Sequence, residues 1–351
     1  MRTLVCRSLF LCVISLGIFF FSPPAFCAFA TSADTAGIEE WPSPAETARR
    51  FLAAYPDFLT GYDAVKQELI GWDGTRFPVA ESEKSSSLGN SAAPLSGSPL
   101  NCLRACCPPP PSPMKTLRIR YRPVAEHWPS PNDPPKLEED AGRLRPLLLW
   151  AYMYGDPVAK EADGSWRTIK TGKRLKLLGG TVENNLATVP WTLAGDGARI
   201  RVNRANGVDK RLAAVVAELE GISVQAKAQY RRIHGGGKAG VSGFYPRLVR
   251  GSACEISPHA FGVAVDIHWR PSLDYWLDSF QRDGYHYQSI MPKEIVAVFE
   301  RHGFIWGGKW RHFDGMHFEY RPELLSMSMP PVGRPGARGE RVRQLSAGRP
   351  R

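Results

Sequence analysis

The sequence predicts an α+β fold in which helices pack against one antiparallel sheet. Residues 263–267 read Val-Ala-Val-Asp-Ile, and this alternation predicts a strand with Val263, Val265 and Ile267 on one face. Residues 210–220 carry apolar side chains at helical spacing, which predicts an amphipathic helix. Pro292 and Gly303 bracket a second helix in the order expected for helix starts and stops.

Earlier elements are predicted from local signals. Ser43-Pro44-Ala-Glu46 is a capping box with proline at the first helical position, so a helix should run to about Ala54. Residues 140–155 are predicted to be helical, with Leu144, Leu147, Leu148 and Tyr152 as the apolar positions. Strands are predicted at 117–122, 166–177, 187–192, 199–202, around Phe244, and in a final segment through His317. Pro190 restricts its strand to a sheet edge.

Composition shifts divide the chain into six predicted segments. These are a signal peptide (1–30), an N-terminal helical region (31–81), a Ser/Pro-rich linker (82–113), an accessory α+β region (114–194), a core domain (195–325) and a basic disordered tail (326–351).

The first 30 residues have the pattern of an export signal. Arg2 and Arg7 precede an apolar run over residues 9–21, and Ala28-Phe-Ala30 supplies small residues for a signal peptidase. The run is shorter than the roughly 20 residues that a spanning helix needs. We therefore expect a periplasmic or secreted protein cleaved near Ala30, with an uncleaved anchor as the alternative, and no membrane span in the mature form.

The chain is basic, with a formal net charge of +11. Between residues 331 and 351, six arginines face one glutamate in a stretch rich in glycine and proline, which predicts a disordered tail suited to the anionic cell envelope. A role in nucleic-acid binding is disfavoured by the export signal and by the lack of a helix-turn-helix, RRM or zinc-finger pattern. Four cysteines would remain after cleavage, and their disulfide pairing stays open: Cys102, Cys106, Cys107 and Cys254.

Two short segments concentrate residues that bind metals. The first is Ser257-Pro-His259-Ala-Phe-Gly262-Val-Ala-Val-Asp266, and the second is Asp314-Gly-Met-His317. Two histidines and a carboxylate are ligands of catalytic zinc sites that keep one position open. A charged Asp266 on an apolar strand would cost roughly several kcal/mol unless it is paired or bound to a cation. Asp314 and His317 should meet in a tight turn or on one helix face, and no HExxH motif is present.

These motifs resemble those of the zinc D-alanyl-D-alanine carboxypeptidase and dipeptidase family, the VanY-like peptidases related to L-alanyl-D-glutamate endolysins and to the Hedgehog signalling domain. The family pattern S-x-H-x-x-G-x-A-x-D, followed by E/D-x-x-H, is matched in full. Residues 303–310 and 317–324 also resemble a periplasmic branch of this family. The resemblance covers about residues 195–325 and implies a Hedgehog/DD-peptidase-like antiparallel sheet with packed helices, preceded here by an N-terminal extension.

The resemblance implies specific roles. His259, Asp266 and His317 would bind Zn²⁺, Asp314 would be the catalytic base, and an arginine would stabilise the oxyanion. Arg247 fits that position better than Arg250, although either could be a solvated surface charge. Ser257, Arg250 and Trp310 are the candidate substrate-binding residues, but Ser257 could instead cap a turn and Trp310 could be a core residue. His268, His302 and His312 are expected to serve packing or supporting roles.

The implied activity is hydrolysis of peptide bonds next to D-amino acids in peptidoglycan stem peptides. A D-alanyl-D-alanine carboxypeptidase is the first hypothesis, and an endopeptidase cutting within the stem is the second. A non-catalytic zinc-containing module that binds the envelope is the alternative from another class. A purely structural envelope protein would account for the tail and the linker but not for the set of metal-binding residues.

Overall fold

The computed structural model describes residues 42–80, 111–159, 161–162, 167–171, 174–234, 240–250, 252, 255–268 and 275–325, except for the side chains of 174, 279 and 281–283. The described residues all belong to one compact unit. The predicted signal peptide, nearly all of the predicted linker, the basic tail and all four cysteines discussed above lie outside these ranges.

The N-terminal region begins with the predicted helix. Helix α1 spans Pro44–Ala54, and the Ser43 side chain accepts a hydrogen bond from the Glu46 backbone N–H (3.2 Å). Three antiparallel strands follow, β1 (Leu59–Asp63), β2 (Glu68–Gly71) and β3 (Arg76–Pro78), in the order β1-β2-β3. Among residues 42–80, the helical description of this region therefore fits α1 only, because the short strands lack a clear alternating pattern.

The next region is less regular than the sequence indicates. After helix α2 (Pro113–Thr116), the strand predicted at 117–122 is absent, and that prediction was wrong. Leu117, Ile119 and Tyr121 are buried alternately, but the chain bonds to a one-turn helix (Leu137–Glu139), through Arg120 N and Glu138 O at 2.9 Å. The helix predicted at 140–155 is shortened to α3 (Leu147–Tyr154), because Pro146 lacks an N–H and marks its start.

Two antiparallel hairpins complete this region. The strand predicted at 166–177 is a hairpin of β4 (Thr168–Thr171) and β5 (Arg174–Leu177). Strands β6 (Leu186–Pro190) and β7 (Arg199–Asn203) pair with each other, which confirms strands near the two predicted positions. Pro190 is the last residue of β6. The predicted boundary between residues 194 and 195 falls in the connection between these paired strands.

The part of the fold that positions the site is a three-stranded antiparallel sheet. Its order is β8 (Ala264–Asp266), β10 (His317–Tyr320), β9 (Phe304–Trp306). The accompanying helices are α4 (Val208–Leu219), α5 (Val224–His234), α6 (Trp276–Asp283) and α7 (Lys293–Arg301). Sheets and helices in this arrangement confirm the α+β class, while the more specific Hedgehog-like assignment stays a prediction.

The strand predicted around Phe244 was wrong. Among the described residues of this segment, strand-like pairing is limited to isolated bridges, including those of Ser242 with Asp266 and of Arg247 with Lys176. The backbone N–H groups bond to different neighbours in turn: Phe244 N to Arg201 O, and Tyr245 N to His259 O. Pro246 has no N–H to offer, so a continuous ladder cannot form.

The core lies between the central sheet and α7. Phe299 on α7 stacks on Phe318 of β10 with ring centroids 3.9 Å apart, and Val265 pairs in register with Phe318. A second contact joins the accessory region to the core, where Trp150 on α3 meets Phe261 edge to face at 5.6 Å. Within the described ranges, no helix is both long and apolar enough to cross a bilayer.

Candidate metal centre

The three predicted metal ligands converge on one point. Antiparallel pairing of β8 with β10 sets Asp266 directly opposite His317. His259 reaches them from a one-turn helix (Pro258–Phe261) that ends at Gly262, whose φ of +69° favours glycine. The Nε2 atom of His259 lies 3.2 Å from both Asp266 Oδ1 and His317 Nδ1, and His317 Nδ1 lies 2.9 Å from Asp266 Oδ1.

The outward-facing nitrogen of each histidine already has an acceptor. His259 Nδ1 lies 2.7 Å from the carbonyl oxygen of Gly243, and His317 Nε2 lies 3.1 Å from Oε1 of Glu319. Because a carbonyl and a carboxylate only accept, these two nitrogens carry the protons. In neutral imidazoles the remaining nitrogens present lone pairs to each other and to Asp266. Three lone-pair donors in contact require a cation or a shared proton between them.

The pKa values reflect this arrangement. Burial lowers the pKa of His259, so that its imidazole is neutral near pH 7. Burial also disfavours a charged His317, but hydrogen bonds to Asp266 and Glu319 outweigh it and raise the pKa of His317 to about 9. Burial opposes ionisation of Asp266, yet the two histidines hold the pKa of that carboxyl well below its usual range. Without a metal, a proton on His317 partly takes the place of the cation.

The donor set fits zinc. At ligand distances of about 2.0–2.1 Å, the corners of a coordination tetrahedron are roughly 3.3 Å apart, close to the 2.9–3.2 Å between these three atoms. Two imidazole nitrogens and one carboxylate oxygen also match catalytic rather than structural zinc sites. His259, Asp266 and His317 are a group that could hold a metal ion.

A cleft of about 120 Å³ opens on this cluster. Asp266 and His317 line it, whereas His259 is buried behind them with 1% of its surface exposed. All five of the other predicted site residues line the same cleft: Asp314, Arg247, Arg250, Ser257 and Trp310. The structure therefore brings together every residue that the motifs and the resemblance indicated, while their individual roles stay predictions.

Asp314 is placed by a tight turn, one of the two geometries expected from its spacing to His317. The Asp314 carbonyl accepts a hydrogen bond from His317 N (3.1 Å), and Asp314 N donates to Gly307 O (2.9 Å). Asp314 also forms an isolated bridge with Tyr275, another residue of the cleft. Burial and the negative charge of Asp314 raise the pKa of Tyr275 to about 12.

The two candidate arginines enter the cleft from the segment before the first motif. Arg247 O accepts a hydrogen bond from Ser257 N (3.0 Å), which ties this segment to the first motif. The positive charge of Arg247 is among the influences that lower the pKa of His259, although burial is the largest. Arg250 lies 4.0 Å from Asp278 and 5.9 Å from the ring of Tyr275.

Ser257 and Trp310 each had a structural interpretation besides substrate binding: a turn cap for Ser257 and a core position for Trp310. Ser257 precedes the turn that carries His259, but its side chain makes no capping hydrogen bond there. Trp310 is 3% exposed and so belongs to the core, yet it also lines the cleft, with its ring 5.5 Å from the His317 ring. Trp310 is therefore a core residue at the cleft wall, and its substrate-binding role stays a prediction.

The other histidines have different surroundings. His302 Nε2 lies 2.7 Å from Glu218, His312 Nδ1 contacts Asp140, and His268 is buried.

Sequence reasoning gave no role to Glu319, which fixes the second histidine, or to Arg145, which lines the cleft and contacts Glu319. Glu319 lies within the quoted motif region, two residues after His317, so its position was a usable signal. Arg145 carries no motif.

The fold and the site define a protein with a candidate metal centre of two histidines and one aspartate on a small antiparallel sheet. Residues 250–320 match a protein family described as D-alanyl-D-alanine carboxypeptidase. Over this segment, about a fifth of the chain, the protein is similar to the family that its two motifs indicated. Comparisons with curated proteins and with solved structures gave no match.

Proposed function

We propose that the protein is a zinc-dependent peptidase that hydrolyses bonds next to D-amino acids in peptidoglycan stem peptides, acting as a D-alanyl-D-alanine carboxypeptidase. The observation that carries this proposal is the convergence of His259 Nε2, Asp266 Oδ1 and His317 Nδ1 at the floor of a cleft. The family match over residues 250–320 supports the peptidase class.

His259, Asp266 and His317 would hold the ion. Zinc, when bound, acts as a Lewis acid that acidifies water and polarises a carbonyl oxygen. Asp314 accepts the proton of the attacking water and donates it to the leaving amine, a role that requires a carboxylate on the same cleft. Arg247 donates to the oxygen that gains negative charge, where a fixed cation in a confined site is most effective.

The charges of the cleft support a substrate with a free carboxylate. Arg247 and Arg250 both line it, and a guanidinium matches a carboxylate in charge and in geometry. A peptide that ends in D-alanine presents such a carboxylate one residue beyond the scissile bond. We place the carboxypeptidase first, because the matched family is described as D-alanyl-D-alanine carboxypeptidase, and the endopeptidase within the stem second.

The proposed site of action is the periplasm or the cell exterior. This part rests on the sequence alone, on the export signal in residues 1–30, which lie outside the described residues. The six arginines of the tail would favour contact with the anionic envelope that contains the substrate.

The test uses the protein without residues 1–30, incubated with pentapeptide muropeptides and analysed by mass spectrometry. We expect loss of the terminal D-alanine, abolished by a chelator and restored by zinc. The D314N variant, which keeps all three ligands, should release alanine about 10²–10⁴-fold more slowly and serves as the matched control. New amines inside the stem would indicate the endopeptidase instead. Zinc binding without any cleavage would support the non-catalytic binding module and contradict the proposal.

A further inference from the structure

Arg145 contacts both segments that carry the metal ligands. Its Nε and Nη2 atoms donate to Oε1 of Glu319 (3.0 and 2.7 Å), two residues after His317. Its Nη1 atom donates to Oε1 of Glu255 (3.0 Å), four residues before His259. Arg145 itself lies before α3, more than 100 residues away along the chain. One side chain therefore joins the two motif segments from outside both of them.

Glu319, to which Arg145 donates, is itself in contact with a metal ligand. Oε1 of Glu319 is the same oxygen that lies 3.1 Å from His317 Nε2, so Arg145 and His317 meet on one atom. The Glu319 side chain is fully buried and the Arg145 side chain is 9% exposed. Glu319 is thus a buried acceptor that two hydrogen bonds from Arg145 hold in place.

The three nitrogens of the Arg145 guanidinium each face a carboxylate, although the residue lines the cleft. Their commitment to Glu319 and Glu255 argues against a substrate-binding role. Ligand orientation through an outer carboxylate is known to control metal affinity in proteins. Arg145 does not contact the ligand itself but hydrogen-bonds to the outer carboxylate, Glu319, and fixes its position.

We propose that Arg145 is a positioning residue of the metal centre, which orients His317 through Glu319 and holds the His259 segment in place through Glu255. This inference rests on the zinc-binding part of the proposed function and is independent of the substrate. It assigns a residue of the predicted accessory region to the assembly of the centre.

The experiment compares R145A, R145K and E255Q with the wild-type protein. Zinc affinity is measured by competition with a chromogenic chelator, and ligand geometry by the visible absorption of the cobalt-substituted protein. The control is R122A, which removes another arginine of the same region. Arg122 pairs with a buried carboxylate, Glu139, which belongs to neither motif segment. Circular dichroism checks that each variant is folded.

We expect R145A to bind zinc about 10–100-fold more weakly than the wild type, the range seen when outer partners of metal ligands are removed. R145K keeps the charge but cannot contact both carboxylates in the same way, so an intermediate loss is expected. E255Q should lose less, because Glu255 is partly exposed. Both arginine variants should show altered cobalt spectra, and R122A should match the wild type in both measurements.

Folded R145A and R145K proteins with wild-type zinc affinity and cobalt spectra would overturn the proposal. If R145A does not fold, R145K decides alone. If neither folds and E255Q binds zinc normally, Arg145 is a structural residue and the proposal is wrong. A wild-type protein that fails to bind zinc would instead count against the proposed function.

Discussion

Two buried polar clusters lie side by side in this protein and behave differently. In the cluster of His259, Asp266 and His317, the facing atoms are acceptors in their neutral or ionised forms. In the adjoining network, each acid meets a donor: Glu319 meets Arg145, and Glu323 meets both Arg321 and the Tyr55 hydroxyl. Each acid of the second cluster already meets a charged donor, whereas the facing atoms of the first require a cation or a shared proton. This difference separates a candidate metal site from a structural ion network.

The largest effect is expected from loss of a ligand. H259A removes one of three donors from the cluster, so we expect loss of stoichiometric zinc and of all turnover. Metal content of the purified protein and alanine release measure the two effects. H268A, which changes a buried histidine near the cluster, is the control and should retain zinc. Normal zinc content in H259A would show that the cluster of His259, Asp266 and His317 is not the zinc site.

A large effect on activity alone is expected from D314N. The variant keeps all three ligands but cannot take a proton, so turnover should fall by about 10²–10⁴-fold, with zinc content unchanged. Steady-state kinetics and metal analysis separate the two quantities. D278N changes a carboxylate beside Arg250 and should retain most activity. Loss of zinc in D314N would place Asp314 among the ligands rather than beside them.

A moderate effect on stability is expected in the ion network. Y55F removes the hydroxyl that donates to Oε2 of Glu323 at 2.6 Å and leaves a buried carboxylate with one partner fewer. We expect a decrease of about 1–3 kcal/mol in the free energy of unfolding, with unchanged zinc affinity. Urea denaturation and chelator competition measure the two. Y62F on β1 is the control. Weakened zinc binding in Y55F would mean that changes in the ion network also affect the metal cluster.

The smallest effect is expected at the surface of α1. Arg49 and Arg50 hydrogen-bond to Glu46 and outweigh its burial, which lowers the pKa of Glu46 to about 2. A lowered folded-state pKa means that the stabilisation is present above the ordinary value near 4.5 and is lost as the pH falls toward 2. E46Q should therefore cost about 0.5–1 kcal/mol at pH 7, and this difference from the wild type should shrink at pH 3. A constant difference at both pH values would contradict the ion-pair explanation.

The sequence was informative where function and local structure share a short segment. The motif around His259 and Asp266 and the turn of Asp314 and His317 could be predicted, because strand alternation and metal chemistry constrain the same residues. The strand around Phe244 was predicted wrongly, since its backbone groups bond to Arg201 and His259, which sequence does not relate. Arg145 was missed for the same reason: its contacts to Glu255 and Glu319 cross more than 100 residues.

The contact between Arg145 and Glu319 limits how this protein could be shortened or recombined. A fragment that begins at residue 195 would retain every ligand and the whole matched segment. In it, however, the fully buried Glu319 would lose both hydrogen bonds from Arg145 and keep Arg321, at 3.5 Å, and His317, at 3.1 Å, as neighbours. Loss of α3 would also remove Trp150 from its contact with Phe261, which ends the one-turn helix that carries His259. The segment that matches the family model therefore depends on contacts with residues that precede it. Libraries and domain swaps should keep residues 42–325 together.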